Sequence, residues 1–306
     1  KWEATVLNAR IRKAYINNNC KIGLIGPKID LTYKYKHLSD NLLYLNQILD
    51  EKEEFSRLLS KAKNPLIIIG TSAINNNQGQ DVLKICAKIS NKLKITNDKF
   101  NGLNILQQNI SRVGALDLNF YNNKFDHNWA DKIKNHIVKT KPVVFLLNLD
   151  DFDLSILKGS YVVYIGHHGE KGAHIADLIL PSPAFPEKQS TFVNTEGRVM
   201  QTTKCFQPLG ESKEEWKIFR ALSENINKKL EFNNLNELRA EIIKEFPHLK
   251  QLNVLPAPEH LSFGESIKIR DQKIQFNITN FYMTDLISRS SETMAKCTKE
   301  ILNKVA

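Results

Sequence analysis

The chain has 306 residues and a formal net charge of +10, a length that suits one large α/β domain or two smaller ones. Its lysines are scattered rather than gathered with aromatic residues along one strip, so the excess charge indicates a solvated basic surface and no nucleic-acid partner. The longest apolar runs, 66–69 and 143–147, fall far short of the roughly 20 residues that cross a bilayer, so no direct membrane span is predicted.

The first half of the chain alternates helical and strand patterns. Leu7, Ile11 and Ala14 recur at helical spacing and predict an amphipathic helix that ends in the asparagine cluster at 17–19, followed by a strand over 21–25. The pattern then predicts a long helix over 45–62, a strand over 66–69, a helix over 82–89, a strand over 93–96, and helices over 105–116 and 129–140.

Two apolar runs, 143–147 and 161–165, predict strands, and the second predicts a strand that is covered on both faces. Because strands alternate with helices, the fold class is α/β with a doubly wound, mainly parallel sheet flanked by helices. The second run ends at Gly166, and the carboxyl end of such a strand is where open α/β sheets place ligands. This end is therefore the first place to look for a site.

After Leu180 three prolines, at 181, 183 and 186, break regular structure, and 191–193 is a short extended piece. Ser212 and Glu215 have the spacing of a capping box and predict the start of a helix. Further helices are predicted over 235–246 and from about 284 to 304. The predicted domains are an α/β region over 1–210 and a helical, loop-rich carboxyl-terminal extension over 211–306.

Three histidines follow the second buried strand, at His167, His168 and His174. Adjacent residues on extended backbone point in opposite directions, so a shared metal ion is not predicted and hydrogen-bonded turn histidines are favoured. The turn after the strand, or the Gly70–Ser72 turn, has the glycine and hydroxyl content to cradle a phosphate. Neither turn carries a complete dinucleotide or P-loop fingerprint.

The remaining polar candidates are interpreted as structural. Glu196, Gly197 and Arg198 form a corner in which glycine permits a tight turn and the two charges can pair with each other or with the backbone and neighbouring residues. Nothing in the sequence places Glu187 with Glu196 as an acid–base pair. The cysteines are too far apart in sequence for an iron–sulfur or zinc site and are interpreted as buried thiols. No residue is therefore predicted as catalytic, cofactor-binding or metal-binding; the four cysteines are Cys20, Cys86, Cys205 and Cys297.

Several separated blocks together resemble one family, the large iron–sulfur subunit of mitochondrial complex I, in its carboxyl-terminal region related to molybdopterin oxidoreductases. The last block points to the mitochondrial form, because molybdopterin enzymes as a class do not share it. The blocks are NARIRK at 8–13, GLIGPKIDLTYKYKHL at 23–38, the segment 161–202 that ends in VNTEGRVMQT, EEWKIFRALSE at 214–224 and FYMTDLISRSSETMAKC at 281–297.

The resemblance implies a non-catalytic structural part of the peripheral arm of complex I, on the matrix side of the mitochondrial inner membrane. It implies no cofactor in this chain, because the family's iron–sulfur clusters lie in an amino-terminal portion that this chain lacks and its molybdopterin-like region is a relic without pterin or metal. The implied partners are other peripheral-arm subunits and a cluster-bearing amino-terminal half.

In the family a strand and a turn precede the helix that begins here near Trp2. We therefore expect a preceding segment, either as further residues of the same protein or as a separate polypeptide. Two alternatives stay open at this point: a fragment of an active molybdopterin-dependent oxidoreductase akin to formate dehydrogenase, and a free-standing basic α/β binding module.

Overall fold

The structure is a computed structural model in which the chain divides into two compact units, described here separately. The first unit comprises residues 1–113, 194–198 and 255–281, and the second comprises the rest of the described chain. The predicted boundary at residue 210 stays a prediction. The described residues are 1–120, 129–149, 152–169, 171–258, 261–276, 278 and 280–302.

The first unit is built from short parallel strand pairs and helices. Strand β1 pairs with β2 and strand β3 with β4, both in parallel, with Ile67 opposite Leu103 in the second pair. Its elements in chain order are α1 (Thr5–Asn18), β1 (Gly23–Ile25), β2 (Lys36–Ser39), α2 (Tyr44–Leu49), α3 (Glu54–Lys61), β3 (Ile67–Ile69), α4 (Thr71–Ile74), α5 (Gly79–Lys92) and β4 (Leu103–Ile105).

Helix α5 carries the core of the first unit. Its apolar residues recur at helical spacing, as predicted, and Val82, Ile85 and Ile89 are at most 1% exposed. They belong to one cluster with residues of α2, β3 and β4. Each such side chain contributes about 1.5–3 kcal/mol of burial free energy, so this helix contributes substantially to the stability of the unit.

A carboxyl-terminal segment, residues 261–276, also belongs to this core, and we call it the strap. Asp40 and Leu42 bond it through the backbone: Ile274 N donates to Asp40 O at 2.9 Å, and Leu42 N donates to Gln272 O at 2.9 Å. Ile274 is 9% exposed inside the cluster. The strap therefore completes the first core; its partly buried apolar residues there are Leu261, Phe263, Ile267 and Ile269.

The second half of the chain contains a three-stranded parallel sheet and an antiparallel hairpin. The sheet order is β5-β6-β7, with Phe145 opposite Val163 and Val163 opposite Leu178. The elements are α6 (Arg112–Asp117), α7 (Trp129–Thr140), β5 (Val143–Leu147), β6 (Tyr161–Gly166), α8 (Lys171–His174), β7 (Leu178–Pro181), β8 (Thr191–Val193), β9 (Val199–Gln201), α9 (Glu215–Asn225), α10 (Leu235–Glu245), α11 (Leu286–Arg289) and α12 (Glu292–Cys297).

The predicted α/β class with mainly parallel strands is confirmed. The strands form four small sheets in the described part of the chain, rather than one continuous sheet. Most strands of the two-stranded sheets have only three residues, so each strand carries few ladder hydrogen bonds. On the β5-β6-β7 sheet, Leu146 and Tyr164 are buried against Ile137 of α7 in a second core.

Three predicted elements differ from the structure because the backbone turns where the apolar pattern continues. The helix over 45–62 is divided into α2 and α3 at Glu51, whose φ is 55°. The prediction of a strand over 93–96 is wrong, because Leu93 is the C-cap residue of α5 and Lys94 has a φ of 52°. The helix over 105–116 is mostly wrong: 105 ends β4, and the helix begins only at Arg112.

The predicted capping box and the last helix also differ. The capping box at Ser212 is wrong, because the Ser212 hydroxyl donates to Leu209 O at 2.8 Å and the residue that precedes α9 is Glu214. The helix over 284–304 is broken after α11, because the Ser291 side chain caps α12 by accepting from Met294 N. The predicted end at 304 lies outside the described residues. In the segments that the structure describes, helices are too short or too polar to traverse a bilayer.

Candidate functional site at the carboxyl edge of the parallel sheet

The three strands β5, β6 and β7 are followed by Asn148, His167 and Ser182, respectively. Asn148 N donates to Ile165 O at 2.8 Å, and Ser182 N donates to Gly166 O at 2.9 Å, so each residue continues the ladder by one bond. Because the strands are parallel, these residues share one edge. This is the predicted ligand-side edge of the sheet, and we call it the carboxyl edge.

An ion pair between Lys188 and Glu215, the first residue of α9, joins this edge. The two side chains are only 15% and 18% exposed. Asn148 Nδ2 donates to Glu215 Oε1 at 3.2 Å, which brings the carboxylate to the end of β5. The nearby Glu187 side chain accepts from Ala184 N at 2.9 Å. The charged groups of the carboxyl edge are therefore engaged within the protein itself.

His167 and His168 contact each other, with 2.6 Å between their Nδ1 atoms. The prediction that they point in opposite directions is wrong, because the chain bends after β6 instead of staying extended. One of the two Nδ1 atoms must be an unprotonated acceptor. Partial burial lowers the pKa of His167, and the neighbouring His168 and Lys188 lower it further. The carboxylates of Glu215 and Glu187 raise it by a smaller amount. His174 lies apart from them in the chain, at the end of α8.

The lowered pKa of His167 predicts a pH dependence of folding. In the folded state the neutral imidazole of His167 is favoured. When the pH falls below about 6.5, the ordinary pKa of histidine, the unfolded chain therefore binds more protons than the folded chain. The contribution of His167 to the free energy of unfolding should therefore be complete above about pH 6.5. It should be lost progressively as the pH falls from there to the lower pKa of the folded state. Urea unfolding at a series of pH values checks this, and His167→Gln should flatten the decline. An unchanged pH profile in that variant would contradict the assignment.

Two buried oxygens at the carboxyl edge, Ser182 Oγ and Asn148 Oδ1, have no hydrogen-bond partner among the residues that the structure describes. Ser182 is only 2% exposed, and buried polar atoms are normally bonded to protein or to ordered water. The edge can therefore accommodate a small hydrogen-bonding group, which is consistent with an ordered water at each atom. The sequence analysis did not single out either residue. Asn148 is the first polar position after the predicted strand over 143–147, and Ser182 follows the proline that ends β7.

The second candidate, the Gly70–Ser72 turn, is closed by an acidic side chain. Thr71 N donates to Glu3 Oε1 at 2.8 Å, and the other carboxylate oxygen, Oε2, lies 2.9 Å from where a Cβ on Gly70 would be. The carboxylate takes the position at the start of α4 that a phosphate would need. The predicted phosphate cradle is thus filled by Glu3 in this structure.

The Glu196–Arg198 corner is the turn of the β8–β9 hairpin. Arg198 Nε lies 3.8 Å from Glu196 Oε2, which matches the predicted ion pair. Asn194 Oδ1 accepts from the backbone N–H groups of Glu196 and Arg198. Gly197 has a φ of 81°, and a Cβ there would lie 2.8 Å from Cγ of Pro256. Glycine is therefore required by both the turn and the contact.

The four cysteines are free thiols in the structure. Cys86 is buried in the first core, where burial raises its pKa to about 12 and keeps it protonated. The prediction of buried thiols is wrong for Cys20 and Cys205, which are exposed. Within the described ranges, no three histidine, cysteine or acidic side chains are grouped as metal ligands.

A family model places the chain in a class of protein. The model for molybdopterin oxidoreductase matches residues 1–225, so the chain belongs to that family. A second model describes the carboxyl-terminal region of an NADH-ubiquinone oxidoreductase subunit, and it matches residues 253–297. This second match includes the whole strap, 261–276.

Curated relatives narrow the similarity to one kind of subunit. The chain is 38% identical to the NADH-ubiquinone oxidoreductase 75 kDa subunit of Reclinomonas americana over 97% of its own length. It is 35% identical to the mitochondrial 78 kDa subunit of Neurospora crassa over 97% of its length, and 34% identical to the mitochondrial NADH dehydrogenase (ubiquinone) iron-sulfur protein 1 of Solanum tuberosum over 96%. The chain spans 43%, 40% and 39% of these relatives, respectively.

The family name implies a pterin-bound metal, and the residues at the carboxyl edge do not fit one. Its side chains are two contacting histidines, the Lys188–Glu215 pair and neutral polar groups. The acidic group, Glu215, is already neutralised by Lys188. The expectation that this chain holds no cofactor stays a prediction.

Proposed function

We propose that this chain is a non-catalytic structural part of the peripheral, matrix-side arm of respiratory complex I. It would support the iron–sulfur domain that carries electrons between NADH and ubiquinone. The curated relatives described above carry the names of complex I subunits, and two of them are named as mitochondrial. The proposed location is accordingly the mitochondrial inner membrane, on the matrix side.

The observation that carries the proposal is the fold of the strap. The strap lies inside the segment that matches the complex I family model, and its Ile274 is buried in the first core. Gln78, before α5, is 8% exposed and accepts from Arg270 N through its side-chain oxygen. A segment typical of the complex I protein is thus an integral part of the α/β core, as a scaffold requires.

The proposed partners are other peripheral-arm subunits and the cluster-bearing amino-terminal half, which would be either further residues of the same protein or a separate polypeptide. The iron–sulfur clusters would belong to that half. The self-contained ion pair of Lys188 and Glu215 supports a role in packing rather than in chemistry, because the edge where α/β enzymes bind substrate is occupied by the protein's own charges.

Affinity purification of the tagged chain from its native mitochondria tests the proposal. We expect it to co-purify with NADH:ubiquinone oxidoreductase activity and with iron, while molybdenum and tungsten remain far below one atom per chain. Stoichiometric molybdenum or tungsten would instead support the formate dehydrogenase-like alternative. Recovery of the chain without a large membrane assembly would contradict the proposal and favour a free-standing binding module.

A further inference from the structure

The loop between β1 and β2 lines an open cavity of about 750 Å³. It belongs to the first unit and follows the carboxyl end of β1, a strand of a parallel pair. Ligand pockets typically measure about 300–1,000 Å³, and carboxyl ends of parallel strands are a usual place for them. The lining residues are Lys28, Ile29, Asp30, Tyr33, Lys34, Tyr35 and His37.

The charge of this cavity favours an anion. Lys28 and Lys34 are exposed, and neither belongs to any ion pair of the described residues. The carboxylate in the lining, Asp30, is already engaged: it accepts from Thr32 N at 2.7 Å and lies 3.5 Å from Lys1 Nζ. Lys1 thus offsets the Asp30 carboxylate, and Lys28 and Lys34 give the cavity lining a net positive charge with which a phosphate group would pair.

The aromatic rings of the cavity are held in place by their polar atoms. Tyr33 OH donates to Asn8 Oδ1 at 2.9 Å, and Tyr35 OH donates to Ile29 O at 2.6 Å. His37 Nε2 lies 2.9 Å from Gly26 O. Because these polar atoms are bonded to the protein, what the side chains offer a ligand is mainly the surface of their rings, and such fixed rings bind at a low entropic cost.

We propose that this cavity binds a phosphorylated aromatic metabolite of the mononucleotide class. The phosphate would pair with Lys28 and Lys34, and the base would stack on the tyrosine rings. Positive charge beside aromatic rings is the combination that proteins use to hold the phosphate and the base of a nucleotide together. The volume of about 750 Å³ is large enough for a molecule of mononucleotide size. This site goes beyond the scaffold role and is independent of it.

Isothermal titration calorimetry of the full chain with AMP, adenosine and ribose 5-phosphate tests the proposal. AMP should bind at least about tenfold more tightly than either of the other probes, a difference of about 1.4 kcal/mol. The double variant Lys28→Ala with Lys34→Ala should bind AMP about tenfold more weakly than the unmodified chain does, and its affinity should depend less on salt concentration. The matched control is Lys61→Ala with Lys63→Ala, which removes the same charge from exposed positions and should leave the affinity unchanged.

A second pair of variants separates the ring from its hydroxyl. Tyr33→Phe keeps the ring and should retain AMP binding, whereas Tyr33→Leu should lose it. Circular dichroism spectra of both variants are the check on folding. The proposal is overturned if AMP does not bind, if ribose 5-phosphate binds as tightly as AMP, or if the control lysine variant loses as much affinity as the cavity variant. The lysine variants keep the test decisive even if Tyr33→Leu does not fold.

Discussion

Replacing Ile274 by alanine is expected to lower the free energy of unfolding by about 2–5 kcal/mol, the usual cost of emptying a buried isoleucine site. Ile274 lies in the strap, far beyond α5 in the sequence, yet it is buried in the same cluster as Ile85 and Ile89. Two backbone hydrogen bonds, one from Ile274 N and one to Gln272 O, fix its position. Urea unfolding followed by circular dichroism gives the measurement.

The control for this prediction comes from the same segment of chain. Leu255 also belongs to the first unit but is 51% exposed, so Leu255→Ala should change the free energy of unfolding by less than about 0.5 kcal/mol. If the two variants unfold at the same urea concentration, the strap does not contribute to the core and the scaffold argument loses its basis.

The strap also explains which part of the fold could not be predicted from the sequence. Helix α5 was predicted because its apolar residues follow the helical period, and strands β5 and β6 because each is a continuous apolar run. The strap has only short pairs of alternating apolar residues, which polar residues separate, and Leu261, Phe263, Ile267 and Ile269 lie on irregular backbone. Only the tertiary contact with α5 makes them buried, and a contact across so many residues has no local signal.

The candidate site shows the same division. The strand that ends at Gly166 was predicted correctly from its apolar run, and ligand binding at its carboxyl end stays a prediction. The histidine geometry was predicted wrongly, since it assumed extended backbone where the chain bends. The Lys188–Glu215 contact joins residues that lie 27 positions apart in the sequence, far beyond any helical or strand spacing. Local periodicity therefore finds the strands but not the charges that cover their ends.

Loss of the Glu215 carboxylate is expected to destabilise the second unit by about 3 kcal/mol, because it leaves a largely buried lysine without its counter-charge. Lys188 is 15% exposed, and Asn148 would lose its acceptor at the same time. Glu215→Ala is the test variant, and Glu241→Ala is its control, since the Glu241–Lys244 pair is 59% and 79% exposed and such pairs contribute about 0–1 kcal/mol. Urea unfolding of both variants gives the comparison.

The double variant Lys188→Met with Glu215→Leu decides what the ion pair does. Removing both charges leaves no buried ion uncompensated, so this variant should regain most of the stability that Glu215→Ala loses. That recovery would mean that the pair fills the carboxyl edge as packing, which apolar side chains can replace. If the double variant is instead as unstable as Glu215→Ala, the charges interact with something other than each other, and the carboxyl edge is not closed by this pair alone.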